Sequence, residues 1–444
     1  MKSILIVNAT IINENSRKIG DIFIKNGRIE QIADKLSHIQ ADTIIDATNK
    51  YVIPGMIDDQ VHFREPGLTD KADIRSESLA GVIGGTTTYM DMPNNKPPII
   101  TNEGLDKKFQ VAEDRSFANY SFYLGATNDN IEEIKNTSKR ACGVKVFMGA
   151  STGNMLVDNL NSLEEIFIHC PKLIATHCES SPIIDKNLKA AKEKYGDDIP
   201  LEMHTEIRSR ECCIESSTLA VNLARNFGSR LHVLHLTTKD EIDFFSNAAN
   251  VAGKSITAEV CIHHLWFSDQ DYQEKGTHIK WNPAVKTAKD RDGLWEALLD
   301  DRIDVLATDH APHTLEEKNN VYTKAPSGGP LVQHAVTAIL EKVKEGVISI
   351  EKAVEKMSHN PAKLFQIEKR GFIKEGYYAD LVLIDTNKPQ TVSKENLLYK
   401  CGWSPFEGTT FSSTITHTFV NGVLMYNQGV FNENTKGKRI TFNR

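Results

Sequence analysis

Apolar residues recur along this chain in two rhythms, and the switch between them divides it into three segments. Over residues 1–53 they come as short β-branched runs, Ile4–Val7, Ile22–Ile24 and Ile44–Ile45, separated by turn signals such as Asn26-Gly27. That segment ends at Val52-Ile53-Pro54-Gly55, where proline and glycine punctuate the pattern. Over 54–371, strand-like runs alternate with stretches of helical period. The pattern predicts strands at Thr86–Met90, Tyr120–Leu124, Gly143–Met148, Leu173–Thr176, Leu231–Leu236, Ile256–Val260 and Val305–Ala307. Helices are expected at 160–169, 207–227, 239–247, 290–299 and 332–345. Over 372–444 the short rhythm returns. Tyr378–Asp385 reads as a strand, and Thr416–Val420, Asn421-Gly422 and Val423–Tyr426 read as a hairpin.

Strands alternating with helices over roughly 300 residues point to a parallel α/β architecture, a TIM (β/α)8 barrel. The alternative is a doubly wound open sheet, which ordinarily carries a glycine-rich phosphate turn near its first strand. Gly84-Gly85 is the nearest approach and lacks that spacing. The similar character of the two ends implies a small β-sandwich domain built from 1–53 and 372–444, flanking a barrel of 54–371.

Composition narrows the function classes. The 444 residues are 40% hydrophobic and 25% charged, as in an ordinary globular protein. A net charge of −7 argues against a nucleic-acid partner. Seven cysteines, at 142, 170, 178, 212, 213, 261 and 401, include no CxxC pair and suggest reduced thiols. The apolar run Ile4–Val7 is too short for a signal peptide, and no run approaches the ~20 residues of a membrane span. A cytoplasmic protein with no membrane partner is expected.

In such a barrel the chemistry lies at the C-terminal ends of the strands. His62 follows the first strand, and Lys145 lies within Gly143–Met148. His177 ends Leu173–Thr176, and His235 ends Leu231–Leu234. Asp309 ends Val305–Thr308, with His310 and His313 close behind. A single strand-end histidine is more often a hydrogen-bonded core residue than a ligand, and His232 and the pair His263-His264 are read that way. Lys145 resists such a reading, because lysine is rarely buried without a partner. Burial in an apolar strand depresses its pKa, and a neutral amine reacts with CO2 to give a carbamate, an anionic oxygen ligand. His, Lys, His, His and Asp at successive strand ends make a donor set of the type Zn2+ prefers. A bound ion lowers the pKa of water to about 7 and polarises a carbonyl.

Together these stretches resemble the amidohydrolase superfamily and, within it, the dihydroorotases. The resemblance rests on Pro54-Gly55-Met56-Ile57-Asp58, His62-Phe63-Arg64-Glu65-Pro66-Gly67, Met92-Pro93-Asn94-Asn95, Lys145-Val146-Phe147-Met148, Ala175-Thr176-His177-Cys178-Glu179, His232–Thr238 and Thr308-Asp309-His310-Ala311-Pro312-His313. It implies that His62 is the second histidine of a His-x-His metal pair and that Lys145 is a carbamylated lysine bridging zinc ions. By the same resemblance His177 and His235 hold the second ion, and Asp309 binds the first and shuttles the proton. Arg64 and Asn94 match groups that hold the substrate carboxylate, Asn282 and His313 match further substrate contacts, and Ser327-Gly328 matches backbone that touches the ring. The implied reaction is the reversible cyclisation of N-carbamoyl-L-aspartate to (S)-dihydroorotate and water, in pyrimidine biosynthesis. A homodimer is implied by analogy alone. A hydantoinase or allantoinase would share the metal residues without needing Arg64, whose fork suits a carboxylate.

One position departs from the family. In Asp58-Asp59-Gln60-Val61-His62 the first member of the His-x-His pair is Gln60. A glutamine oxygen is a weaker zinc ligand than imidazole. A working enzyme with one or two zinc ions per chain is expected, and a non-catalytic relative is the alternative.

Overall fold

The computed structural model describes residues 2–149 and 155–444. Eight parallel strands form its centre: Met56–Val61, Thr86–Asp91, Asn119–Phe122 continued by Leu124–Gly125, Val144–Phe147, Ile174–His177, Leu231–Val233, Ile256–Cys261 and Val305–Ala307. Each pairs in parallel with the next. The last strand then returns to the first. Val61 bridges His310, the His62 amide donates to the His310 carbonyl at 2.7 Å, and the Thr308 hydroxyl donates to Asp58 at 2.6 Å. A sheet closed on itself is the expected TIM barrel and not a doubly wound sheet.

The pleat explains which side chains reach the interior. On the strand Val144–Phe147, Val144 and Val146 pack outward in one cluster with Leu163, Ile166 and Phe167 of the helix Leu160–His169. Lys145 and Phe147, the alternate positions, face the cavity at the barrel mouth. That helix starts where Asn159 accepts a bond from the Ser162 amide, and the helix Arg210–Phe227 stops at Gly228, with φ 70°. The helix expected over 239–247 is a shorter 3-10 segment, Lys239–Phe244. A Thr238/Glu241 capping box starts it, but Ser246 and Asn247 are poor helix formers and Phe245 is already extended.

The terminal segments form one nine-stranded sheet. Tyr51–Pro54 sits at its middle, parallel to Ile4–Asn13 and antiparallel to Leu381–Asp385. It leads through Gly55 directly into the first barrel strand. A Cβ on Gly55 would lie 2.2 Å from the Thr87 side chain, so this junction admits only glycine. Among the described residues no helix is long and apolar enough to cross a membrane.

Candidate active site

A cavity of about 450 Å3 opens at the C-terminal end of the barrel strands. Its wall contains every residue expected there: His62, Arg64, Asn94, Lys145, His177, His235, Asn282, Asp309, His313, Ser327 and Gly328. Gln60, Lys71, Phe147 and Trp281 join them. Three of the non-glycine residues among these, Arg64, His235 and Asp309, adopt positive φ of 66°, 40° and 49°. Such backbone persists only where surrounding structure holds it, and it clusters at functional sites.

One side of the cavity is organised around Asp309. Its Oδ1 accepts from Gln60 Nε2 at 3.2 Å and lies 3.1 Å from His62 Nε2. His62 Nδ1 donates to Asn94 Oδ1 at 2.7 Å, which fixes the ring and leaves Nε2 aimed at Asp309. The chain between His62 and Arg64 is pinned from below. The Phe63 amide donates to Asp91 at 2.9 Å, and Asp91 forms a fully buried ion pair with Lys108 at 2.8 Å.

Opposite, three adjacent strands bring Lys145, His177 and His235 together. His177 Nδ1 and His235 Nε2 are 3.0 Å apart. Glu179 accepts the proton of His177 Nε2 at 2.8 Å, so Nδ1 is left as an electron-pair donor. Burial raises the pKa of Glu179, but Arg208 and the His177 bond override it and hold the carboxylate at about 2. Burial also keeps His177 and His235 below the usual histidine range, hence neutral. Lys145 is 1% exposed, and burial lowers its amine to about 8 against the opposing pull of Asp309 and Glu259. Two neutral imidazoles beside an amine that gives up its proton more readily than an ordinary lysine fit a divalent ion of the zinc type. His235 Nδ1, buried without a hydrogen-bond partner among the described residues, offers that ring no competing anchor.

The remaining wall is cationic. Arg64 is buried, its Nε donates to the Pro312 carbonyl at 3.0 Å, and Nη2 is 3.1 Å from His313 Nε2. Lys71 Nζ lies 3.1 Å from His313 Nδ1 and 2.6 Å from Glu317. Burial, with Arg64 and Lys71, pushes His313 down to about 3, so its ring is neutral and has one acceptor nitrogen. In one tautomer Nε2 accepts from Arg64. In the other, Nε2–H donates to the Ser327 carbonyl at 3.1 Å, Nδ1 accepts from Lys71, and Arg64 Nη2 loses His313 as an acceptor. Two buried lysines staple the adjoining loop. Lys280 donates to the carbonyls of Tyr322 and Ala325 at 2.7 and 2.5 Å, and Lys318 to those of Pro326 and Gly328 at 2.9 and 2.8 Å. The Gly328 amide is already used, donating to the Lys280 carbonyl at 2.8 Å, so a backbone contact to a ligand falls to Ser327. Asn282 Oδ1 is buried, lines the cavity and has no protein partner among the described residues.

Below this layer lies a second polar tier that the sequence did not announce. His232 Nε2 is 3.1 Å from Asp59 and 3.8 Å from Glu259, and Nδ1 is 2.8 Å from Thr257. Asp59 belongs to the first strand and His232 to the sixth, so this contact crosses the barrel interior. His232 is thus a hydrogen-bonded core histidine, as expected. Glu259 in turn accepts from the His235 amide at 3.0 Å, which ties the tier to the site above it.

The amidohydrolase family model matches residues 51–425. A dihydroorotase from Halobacterium salinarum is 33% identical over 401 residues, covering 88% of this chain and 90% of its own. One from Pyrococcus furiosus is 32% identical over 423 residues, covering 95% and 92%. Among solved structures, L-hydantoinase (dihydropyrimidinase) from Arthrobacter aurescens has a TM-score of 0.92 at 28% identity, over 97% of this chain and 98% of that one. The family match runs through every barrel strand and on into the C-terminal strands of the β domain, so this chain belongs to the amidohydrolase family, as a cyclic amide hydrolase.

Proposed function

We propose that the chain is a zinc-dependent dihydroorotase, interconverting (S)-dihydroorotate and N-carbamoyl-L-aspartate in pyrimidine biosynthesis. Arg64 carries this reading. Its guanidinium is buried beside the cavity, and among the described residues no carboxylate lies within 4.0 Å of it. A buried cation without a counter-ion is costly unless a ligand supplies one. The substrate α-carboxylate does so, with Asn94 and His313 beside it. Hydantoins and dihydropyrimidines lack that carboxylate. The likeness to dihydroorotases at about 30% identity adds support.

The assigned roles follow. His177, His235 and Lys145, the last as carbamate, would hold zinc on one side of the cavity, and His62 and Asp309 face that position from the other side. When bound, zinc polarises the ring amide carbonyl and eases deprotonation of the attacking water. Arg64, Asn94, Asn282 and the Ser327-Gly328 loop hold the ring so that one carbonyl faces Asp309. In hydrolysis a bond forms between the water oxygen and that carbonyl carbon, and Asp309 takes the proton released. The carbon–nitrogen bond then breaks, and Asp309 returns the proton to the leaving nitrogen. Cyclisation reverses each transfer and releases water. The same reading takes 54–371 as the catalytic barrel and 1–53 with 372–444 as the β domain, in a cytoplasmic enzyme.

The likeness to an L-hydantoinase supports a second reading, a cyclic amide without the carboxylate. The test compares turnover of (S)-dihydroorotate and N-carbamoyl-L-aspartate with that of hydantoin and dihydrouracil, using protein reconstituted with zinc and bicarbonate. Preference for the first pair supports the proposal, preference for the second assigns a hydantoinase, and no turnover of either leaves the non-catalytic relative.

A further inference from the structure

Gln60 occupies the place of a histidine ligand, and its surroundings indicate what it does there. The side chain is 1% exposed and enclosed between two groups. Nε2 is 3.2 Å from Asp309 Oδ1, and Oε1 is 3.9 Å from Cys261 Sγ. An ionised carboxylate only accepts, so the amide nitrogen must face Asp309 and the amide oxygen must face the thiol. An amide nitrogen has no lone pair to give a metal. The only ligating atom of Gln60 is therefore turned away from Asp309, where a first ion would be shared. His62 Nε2, 3.1 Å from the same Asp309 oxygen, keeps its lone pair because Nδ1 donates to Asn94, so among the described residues His62 and Asp309 are the two ligating groups left on that side.

The other half of the site is different. Lys145, His177 and His235 converge from neighbouring strands, and Glu179 fixes the His177 tautomer that leaves Nδ1 free to donate. We propose that this chain holds a single divalent ion, on Lys145, His177 and His235. Gln60 replaces the other ion with a hydrogen bond. Its N–H orients Asp309, the carboxylate that a second cation would otherwise hold in place. Lys145 then has no second ion to bridge, and its carbamate is a terminal ligand.

The inference rests on the metal dependence proposed above and is independent of the substrate. Its test is a stoichiometry. Metal-free protein is reconstituted with excess Zn2+ and bicarbonate, desalted and assayed for zinc by mass spectrometry, with circular dichroism to verify folding. One zinc per chain is expected for the native sequence and for Gln60→Ala, and two for Gln60→His. Two zincs, or none, in the native protein overturns the proposal, as does a single zinc in Gln60→His. Should Gln60→His not fold, His177→Ala decides: its zinc should fall to none, and retention of one overturns the assignment. A chain that holds one zinc but turns over neither substrate class defeats the dihydroorotase reading and leaves this one standing.

Discussion

Replacing Arg64 by methionine removes the proposed carboxylate clamp while keeping most of the side-chain volume. Nε is committed to the Pro312 carbonyl and one Nη2 hydrogen faces His313, so Nη1 and the other Nη2 hydrogen remain for a ligand. Each charge-assisted hydrogen bond contributes about 1.5–3 kcal/mol. Leaving one member of a desolvated charge pair alone costs about 2–5 kcal/mol. Two such bonds in this buried setting give about 3–5 kcal/mol. At about 1.4 kcal/mol per decade, kcat/KM for (S)-dihydroorotate should fall about 100-fold to 4,000-fold. The assay is steady-state ring opening followed by loss of dihydroorotate absorbance, run in parallel on hydantoin or dihydrouracil, which have no carboxylate to lose. Their kcat/KM should change less than about threefold, and zinc content should be unchanged. Arg64→Lys keeps the charge but loses the fork, and should fall between the two. An equal loss on both substrate classes would mean that Arg64 only props the loop at Pro312. An unchanged kcat/KM for dihydroorotate would mean that the carboxylate binds elsewhere.

Three further outcomes follow from the same geometry. Glu179→Gln weakens the acceptor that fixes His177, and should reduce zinc affinity about 10-fold to 100-fold in a chelator competition. Lys71→Met removes the donor to His313 Nδ1 and so favours the tautomer that ties down Arg64. KM for dihydroorotate should rise about tenfold with kcat little changed, because about 1.4 kcal/mol of ground-state binding is lost; a fall in kcat alone would contradict this. The inner tier sets a pH dependence of stability. Burial alone would lower His232, but Asp59 and Glu259 outweigh it and push it up to about 9, while burial and the Asp59 charge raise Glu259 as well. Both shifts make the folded chain bind more protons than the unfolded one. The His232 contribution is complete below about pH 6.5 and lost as pH rises through about 9, amounting to at most about 3 kcal/mol. Urea unfolding at pH 6.5 and 9 should show that loss in the parent and a flatter response in His232→Asn; parallel curves would rule the tier out as the cause.

What was legible in the sequence is the identity of the donors, and what was hidden is their orientation. Lys145 stood out because a charge in the apolar run Val144–Phe147 breaks a local rule, and period-two alternation then turns it into the barrel. The strand-end histidines and Asp309 were readable for the same reason, since a parallel barrel delivers all strand ends to one face. Lys71 was not, because it sits in a turn with no periodicity and meets His313, 242 residues away. The tier of Asp59, His232 and Glu259 depends on which residues point across the closed barrel, a consequence of closure that no local window contains. The helix expected over 239–247 failed at its far end, where two polar residues outweigh the apolar spacing. The same limit applies to Gln60. The sequence shows that an imidazole is missing, but an amide can present either oxygen or nitrogen. Asp309, 249 positions away, decides which by accepting only a donor. His62 is governed likewise by Asn94, and His177 by Glu179. Residue types along the strands therefore specify which ions the site can attract. The number it can hold is set by those distant neighbours, which determine where each lone pair points.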